Sequence, residues 1–476
     1  MKVMEYPMRI GGQLVKTDSP RQVELPYDGT PVATVYEASR EQVEAAVEAA
    51  AAAAPVMREL TLAERAAILR KAHFQVLERQ EELARTISSE SGKPLREARL
   101  EVERASQTLL FSAEEADRLC GEVVPMEASP AGKGRWAMTL REPLGIIAAI
   151  TPFNFPLNLA LHKIGPAIAA GNAVIHKPAS ATPVSALRMA EIFEQCGLPK
   201  GALNVVTGPG GAIGDLLSCH PRIAMITFTG SADVGQRIRK LAGMKRVTLE
   251  LGSNSAVILE EDADLDEAVP RCVTGSFAHS GQVCISVQRI FVHRKIRESF
   301  LERFVEATRK LRIGHPLDPS TEISSLITPQ DADRIESWIA EAMEAGATLL
   351  TGGRRVGRAT VEPAILTDVP PHVKLSCKEA FGPVVAVNSY DHLDEAIRMV
   401  NDSEYGLQAG IYTRDLRKAF TAARQVHVGG FLINDVPQYR VDLMPYGGVK
   451  LSGMGREGPR YAIQEMTEVK LVVWKP

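Results

Sequence analysis

The residues able to do chemistry in this chain are a thiol, a carboxylate and a carboxamide, each set in an apolar frame. Cys284 closes the run Phe277-Ala-His-Ser-Gly-Gln-Val-Cys284-Ile-Ser, in which the Gly281-Gln282 pair lets backbone come close to whatever the thiol attacks. A thiolate so placed can add to an electrophilic carbon; the alternative is a buried structural cysteine. Glu250 lies in Thr248-Leu-Glu250-Leu-Gly252. Burial there raises the pKa of a carboxylate and suits it to general-base work, unless a salt bridge makes it structural. Asn154, in Thr151-Pro-Phe-Asn154-Phe-Pro156, carries an NH2 donor of the kind that stabilises an oxyanion, or else caps the helix that follows.

Two further motifs suit an anionic ligand. Ile226-Thr-Phe-Thr-Gly230-Ser231-Ala-Asp-Val-Gly235 reads as an apolar strand, a glycine turn and a helix start, an arrangement that aims backbone N–H groups at phosphate. It is not the G-x-G-x-x-G pattern, and an ordinary strand-to-helix turn has the same composition. Ala173-Val-Ile-His-Lys177-Pro178 puts a lysine at the end of an apolar strand, where it holds ribose hydroxyls or phosphate, or simply meets solvent.

These residues need a scaffold, and the patterning supplies one. Residues 41–54 and 61–119 read as helices, the second from apolar groups at helical spacing, Leu62, Ile68, Leu69, Ala72, Val76 and Leu83 among them. Residues 121–143 read as a hairpin, VVPMEAS and RWAMTLREP around a Pro-Gly turn. From 145 to 260 strands and helices alternate, which predicts a parallel sheet covered by helices, and a second such series runs from about 255 to 430. The tail EVKLVVWKP is an apolar strand that needs a partner, and with the hairpin it predicts a small projecting sheet that pairs with another subunit.

Composition excludes other classes. At 476 residues, 45% hydrophobic and 24% charged, the chain suits a soluble enzyme of two or three domains. A net charge of -3 leaves no basic field for nucleic acid or anionic lipid. The apolar stretch 145–175 is broken by Asn154, Asn158, His162, Lys163 and prolines, so no membrane span is expected. Six scattered cysteines, none in C-x-x-C, and a start without an apolar signal core predict a reducing cytoplasm. No metal site is expected.

Taken together, TPFNFP, HKPA, FTGS, LELG, GQVC, KEAFGPV and PYGGVKLSGMGREG make the chain resemble the aldehyde dehydrogenase superfamily, in the family's order, from about residue 10 to the end. The resemblance implies an α/β fold with a Rossmann-type NAD(P)-binding domain (1–120 and 144–250) and an α/β catalytic domain (251–430). An oligomerisation region of hairpin and C-terminal strand (121–143 and 431–476) completes it. It further implies that Cys284 is the nucleophile, Glu250 the base and Asn154 the oxyanion donor. Thr151, Lys177, Ser180, Gly230, Ser231, Glu379 and Phe381 match cofactor-binding positions. The expected reaction is oxidation of a small aldehyde to its acid through a thioester, by a homodimer or homotetramer.

Departures from the family pattern refine this. Relatives that prefer NAD often carry glutamate where this chain has Ser180, and losing that charge predicts that NADP is favoured over NAD. Leu251-Gly252-Ser253-Asn254 replaces a commoner Gly-Gly after the base. Arg104 and Arg440 fall where guanidinium groups could clamp an anionic substrate, and His162 is polar where relatives are aromatic, or is bonded within the helix bundle. Uncharged Val283 before the nucleophile tilts the expectation from phosphate toward a hydroxylated or carboxylate-bearing aldehyde. Two rival readings are a CoA-acylating relative, which Glu250 disfavours, and a non-catalytic nucleotide-binding scaffold, which the intact triad of residues disfavours.

Overall fold

The structure, a computed structural model, describes residues 4–476. Strand-forming β-branched and aliphatic runs alternate with helices as the sequence predicts, and they sort into two main sheets. In the eight-stranded sheet, Arg246–Glu250, Met225–Thr229, Ile146–Ile150, Ala173–Lys177 and Leu203–Val205 run parallel in that spatial order. Each of the five strands is apolar through its centre because helices cover both faces. The chain runs outward from Ile146–Ile150 in one direction and later returns to its other side with Met225–Thr229. That reversal leaves a crevice at the strands' C-terminal ends.

The seven-stranded sheet is parallel from Ala364–Thr367 to Gly430–Ile433, with Arg289–His293 and Ala256–Leu259 at its centre. Thr348–Thr351 closes one edge in the antiparallel sense. A small apolar cluster of Val283, Ile285, Leu407 and Tyr446, with Phe155 and Cys284 against it, lies where elements of the two units meet.

The structure departs from the sequence reading in four places. Residues 61–119 form three helices, Leu62–Glu78, Gln80–Ser91 and Leu95–Asp117. Gly92 ends the second in a left-handed conformation (φ 73°), where an added Cβ would sit 2.3 Å from Ser325 Oγ, and Pro94 opens the third. The 121–143 segment is a hairpin of unequal arms: only Val123–Val124 pairs with Trp136–Pro143, because Pro125 and Pro130 start 3-10 turns between them. The helix ahead of Cys284 stops at Phe277, and His279 and Ser280 have positive φ. Finally, the sequence did not announce the N-terminal strands: Met8–Ile10 and Gln13–Val15 extend the first sheet, and Met4–Tyr6, Pro31–Tyr36 and Pro20–Glu24 form a separate three-stranded sheet.

The last 46 residues do not act as one element. Gly453–Met454 joins the eight-stranded sheet beside Glu250, whereas Thr467–Trp474 pairs along its whole length with Trp136–Pro143. In the resulting three-stranded sheet Leu471, Trp136 and Val123 are exposed, and the outer edge of Thr467–Trp474 has no neighbouring strand among the described residues.

Candidate active site

The crevice at the strand reversal holds six of the residues the sequence singled out, Asn154, Gly230, Ser231, Cys284, Glu379 and Phe381. A cleft of about 430 Å³ is lined by Phe153 and Asn154 after one strand, by Gly230 and Ser231 after its neighbour, and by Cys284, Glu379 and Phe381 from the second unit. Ser231 precedes the helix Ala232–Leu241 without a side-chain cap bond, so the first turn's N–H groups remain available to an anion. Gly230 is required by contact: a Cβ would lie 2.4 Å from Phe228 Cζ. Glu379 accepts from the amide of Ser253 at 2.9 Å, and a Cβ on Gly252 would meet its Oε2 at 2.1 Å, so glycine clears a path for this carboxylate. Burial pushes Glu379 up to about 7. The open helix start and the polar groups along the cleft suit a dinucleotide pyrophosphate and ribose.

The loop before the thiol is built backbone to backbone. Gly281 (φ 74°) passes so close to Gly382 that a Cβ would stand 2.0 Å from that carbonyl oxygen. Gln282, fully buried, accepts from the amide of Ile327 at 2.9 Å and donates to the carbonyls of His279 and Ser325. The Asn154 Nδ2 donates to the Gln282 carbonyl at 2.9 Å, which fixes the amide's orientation, since the reverse would oppose two oxygens. One N–H of Asn154 is thereby used and the other is left. Cys284 Sγ lies 2.9 Å from the hydroxyl of Tyr446, a residue that the sequence reading did not single out.

On the other side of Cys284 a cavity of about 570 Å³ opens, lined by Phe155, Val283, Ile285 and Tyr446, with Arg96, Arg104, Arg440 and His279 among its polar groups. Its two carboxylates are occupied internally. Glu101 takes the buried Lys93 ammonium and the amides of Leu157 and Asn158; Glu97 accepts the amide of His279 at 2.6 Å and is pushed by burial up to about 7. The imidazole of His279 is buried without a hydrogen-bond partner among the described residues.

Arg104 and Arg440 both reach this cavity, but neither is unpaired. Arg104 grips Asp442 with two bonds, at 3.1 and 2.9 Å. Arg440 pairs with Glu457 at 3.2 Å and lies over the Tyr446 ring, 3.6 Å from its centroid. His162 is fully buried behind the wall, with Nε2 2.8 Å from Asp442 Oδ1. Burial and then Arg440 lower its pKa, so the ring is neutral and Nε2 is the donor. It belongs to the helix bundle, and Asp442, which also takes Asn158 Nδ2 at 3.0 Å, is the acceptor that gathers these donors.

Glu250 is buried at the end of its strand, and neither carboxylate oxygen has a hydrogen-bond partner among the described residues. Burial first, and then Glu457, raise its pKa well above the usual range. Glu457 moves the other way. Burial would raise it, but Lys163 and Arg440 hold it down to about 2, so the two neighbouring carboxylates are shifted in opposite directions. Cys284 is pushed up to about 11 by burial, against the lowering effect of Tyr446 and Arg440.

The remaining residues singled out from sequence flank the eight-stranded sheet. Thr151 bonds to His176 at 2.9 Å. Lys177 donates to the carbonyl of Pro178 at 3.0 Å, and burial and then Arg21 bring it down to about 8. Ser180 Oγ donates to the Gly208 carbonyl at 2.7 Å and lines a separate cleft shared with Arg21 and Arg358. Arg21, in a strand that the sequence did not announce, was not anticipated. No group of three or more His, Cys, Asp or Glu able to hold a metal ion occurs among the described residues.

This architecture, a parallel sheet with its reversal crevice facing a cysteine loop from a second parallel sheet, is that of a nucleotide-dependent α/β enzyme. The aldehyde dehydrogenase family description matches residues 15–472, and the chain belongs to that family. It is 48% identical over 472 residues to the 3-sulfolactaldehyde dehydrogenase of Priestia megaterium, covering 99% of this chain and 98% of that one. The crystal structure of aldehyde dehydrogenase 21 from Physcomitrella patens, in complex with the reaction product succinate, superposes with TM-score 0.97 at 39% identity, covering 100% and 99% of the two chains. That of glyceraldehyde-3-phosphate dehydrogenase GapN from Methanocaldococcus jannaschii, complexed with NADP, gives 0.92 at 39% identity, covering 96% and 100%.

Proposed function

We propose that this protein oxidises a small hydroxylated or acid-bearing aldehyde to its acid with NAD(P)+, by way of a thiohemiacetal and then a thioester on Cys284. The observation that carries the reading is the position of Cys284 and Asn154, which line the cleft at the strand reversal while Val283, Ile285 and Phe155 beside them border the second cavity. Sulfur adds to the carbonyl carbon as the carbon–oxygen π pair moves onto oxygen. The free N–H of Asn154 and the Cys284 amide receive that oxyanion, and losing one such donor costs about 2.7–4 kcal/mol in the barrier. A nicotinamide held in the cleft by Glu379 and Phe381 would supply the hydride acceptor for the same carbon. Glu250 then takes a proton from water as the water attacks the thioester, and the carbon–sulfur bond breaks to release the acid.

Because the pKa of Glu250 is raised, hydrolysis of the thioester speeds up with rising pH as this carboxyl loses its proton. Glu250→Gln should keep a single burst of NAD(P)H while steady turnover falls by roughly a hundredfold or more and loses that pH dependence. Undiminished turnover would refute the assigned base. If CoA accelerated acid-thioester release, the acylating reading would replace this one; absence of any NAD(P)H from a panel of aldehydes would favour the scaffold.

For the cofactor, Ser180, Lys177 and Arg21 form an edge that attracts a 2′-phosphate, and the NADP held by the Methanocaldococcus relative supports its use. At about 4 Å and an effective dielectric near 20, a carboxylate in place of Ser180 would oppose that phosphate by roughly 4 kcal/mol. Ser180→Glu should therefore cut kcat/KM for NADP by up to roughly a thousandfold while sparing NAD. A parent enzyme preferring NAD a hundredfold would overturn the assignment.

For the substrate, the guanidinium groups of Arg104 and Arg440 on the cavity, together with a relative named for sulfolactaldehyde and another that binds succinate, support an anionic or hydroxylated tail. Arg104→Ala should raise KM for such an aldehyde well above its effect on propanal. Equal effects would remove the clamp.

The apolar three-stranded sheet with its open edge supports assembly into a homodimer or homotetramer. Leu471→Asp should shift the sedimentation coefficient toward the monomer; a parent that sediments as a monomer would discard this.

A further inference from the structure

We propose that the Tyr446 hydroxyl is the hydrogen-bond donor that favours the thiolate form of Cys284 over the thiol, and that Arg440, stacked on the Tyr446 ring, positions this donor. The inference rests on the reading of Cys284 as nucleophile and adds a residue to it.

The geometry is direct. The Tyr446 oxygen is 2.9 Å from Cys284 Sγ, and the tyrosine is 2% exposed. No other hydrogen bond to this hydroxyl is seen among the described residues. A thiol is a poor partner for a buried phenol, whereas a thiolate is a strong one, so the bond strengthens as the sulfur loses its proton. The sulfur keeps the S–H electron pair and the proton leaves to water in the open cleft.

Tyr446 is held from three directions. Its backbone exchanges two hydrogen bonds with Glu457, at 3.1 and 2.7 Å. The Glu457 carboxylate in turn pairs with Arg440, and the Arg440 guanidinium covers the phenol ring at 3.6 Å. A cation over the face of the ring draws electron density from it and makes its O–H a better donor.

The charged groups that act on Cys284 are Tyr446 and Arg440, which favour the thiolate, and Glu250 and Glu379, which oppose it. Tyr446 itself stays protonated, because burial and then Cys284 push its pKa upward, so the proton of the bond remains on oxygen.

The test reads the thiol without any substrate or cofactor. Alkylation of Cys284 by iodoacetamide, followed by peptide mass spectrometry to separate it from exposed Cys120 and Cys219, reports the thiolate fraction at each pH. In Tyr446→Phe the log-rate line should move upward in pH by about a unit, so the rate near neutrality falls roughly tenfold. Arg440→Lys, which keeps charge and loses the flat stack, should fall between the two. Unchanged or faster alkylation of a Tyr446→Phe protein with the parent's thermal midpoint overturns the proposal. If that variant does not fold, the parent grown with 3-fluorotyrosine, whose phenol is a stronger donor, should alkylate faster at neutral pH, and no increase counts against the proposal. Turnover surviving in Cys284→Ser would sink the nucleophile assignment, while leaving the alkylation result to judge the hydrogen bond on its own.

Discussion

Two buried carboxylates compete for the cations between the sheets, and the winner is Glu457. Lys163 from the helix Asn158–Ala169 and Arg440 from the loop bordering the cavity both pair with it. Glu250 has no hydrogen-bond partner among the described residues, and its pKa is raised by burial and by Glu457. A charged pair so deeply buried is costly to desolvate, and breaking it by removing one member is more costly still, about 3–5 kcal/mol. The ion cluster therefore ties the helix Asn158–Ala169 to two points of the C-terminal stretch, Arg440 and Glu457, in one fixed arrangement. The same arrangement sets the resting protonation of Glu250 and holds Tyr446 against the thiol.

Much of this was legible in the chain because chemistry here sits at strand ends. Glu250, Lys177 and Thr151 each finish or follow an apolar strand, and Gly230-Ser231 occupies the turn after another. Alternation of apolar strands with helices locates such ends without any knowledge of their partners. Gly281 was legible as a close backbone approach, although the carbonyl of Gly382 that it meets was not.

The network around Cys284 was hidden for a physical reason. Glu457, Asp442 and Tyr446 lie in a C-terminal stretch with little regular structure, and each meets groups one hundred or more residues away. Local periodicity carries no signal for such contacts. The same holds for His162: a helix buried on every side has no polar face from which to tell a cavity-lining ring from one bonded inside. In the long helical stretch, Gly92 and Pro94 were visible, but apolar spacing on either side of them masked the breaks.

The cleft and the cavity approach Cys284 from different sides, and Phe381 lines one while Phe155 lines the other. Separate doorways mean that traffic through one need not wait on the other. On the proposed reaction, a spent nucleotide would depart while the acyl group stayed on sulfur, and water would follow along the vacated route without displacing the organic tail.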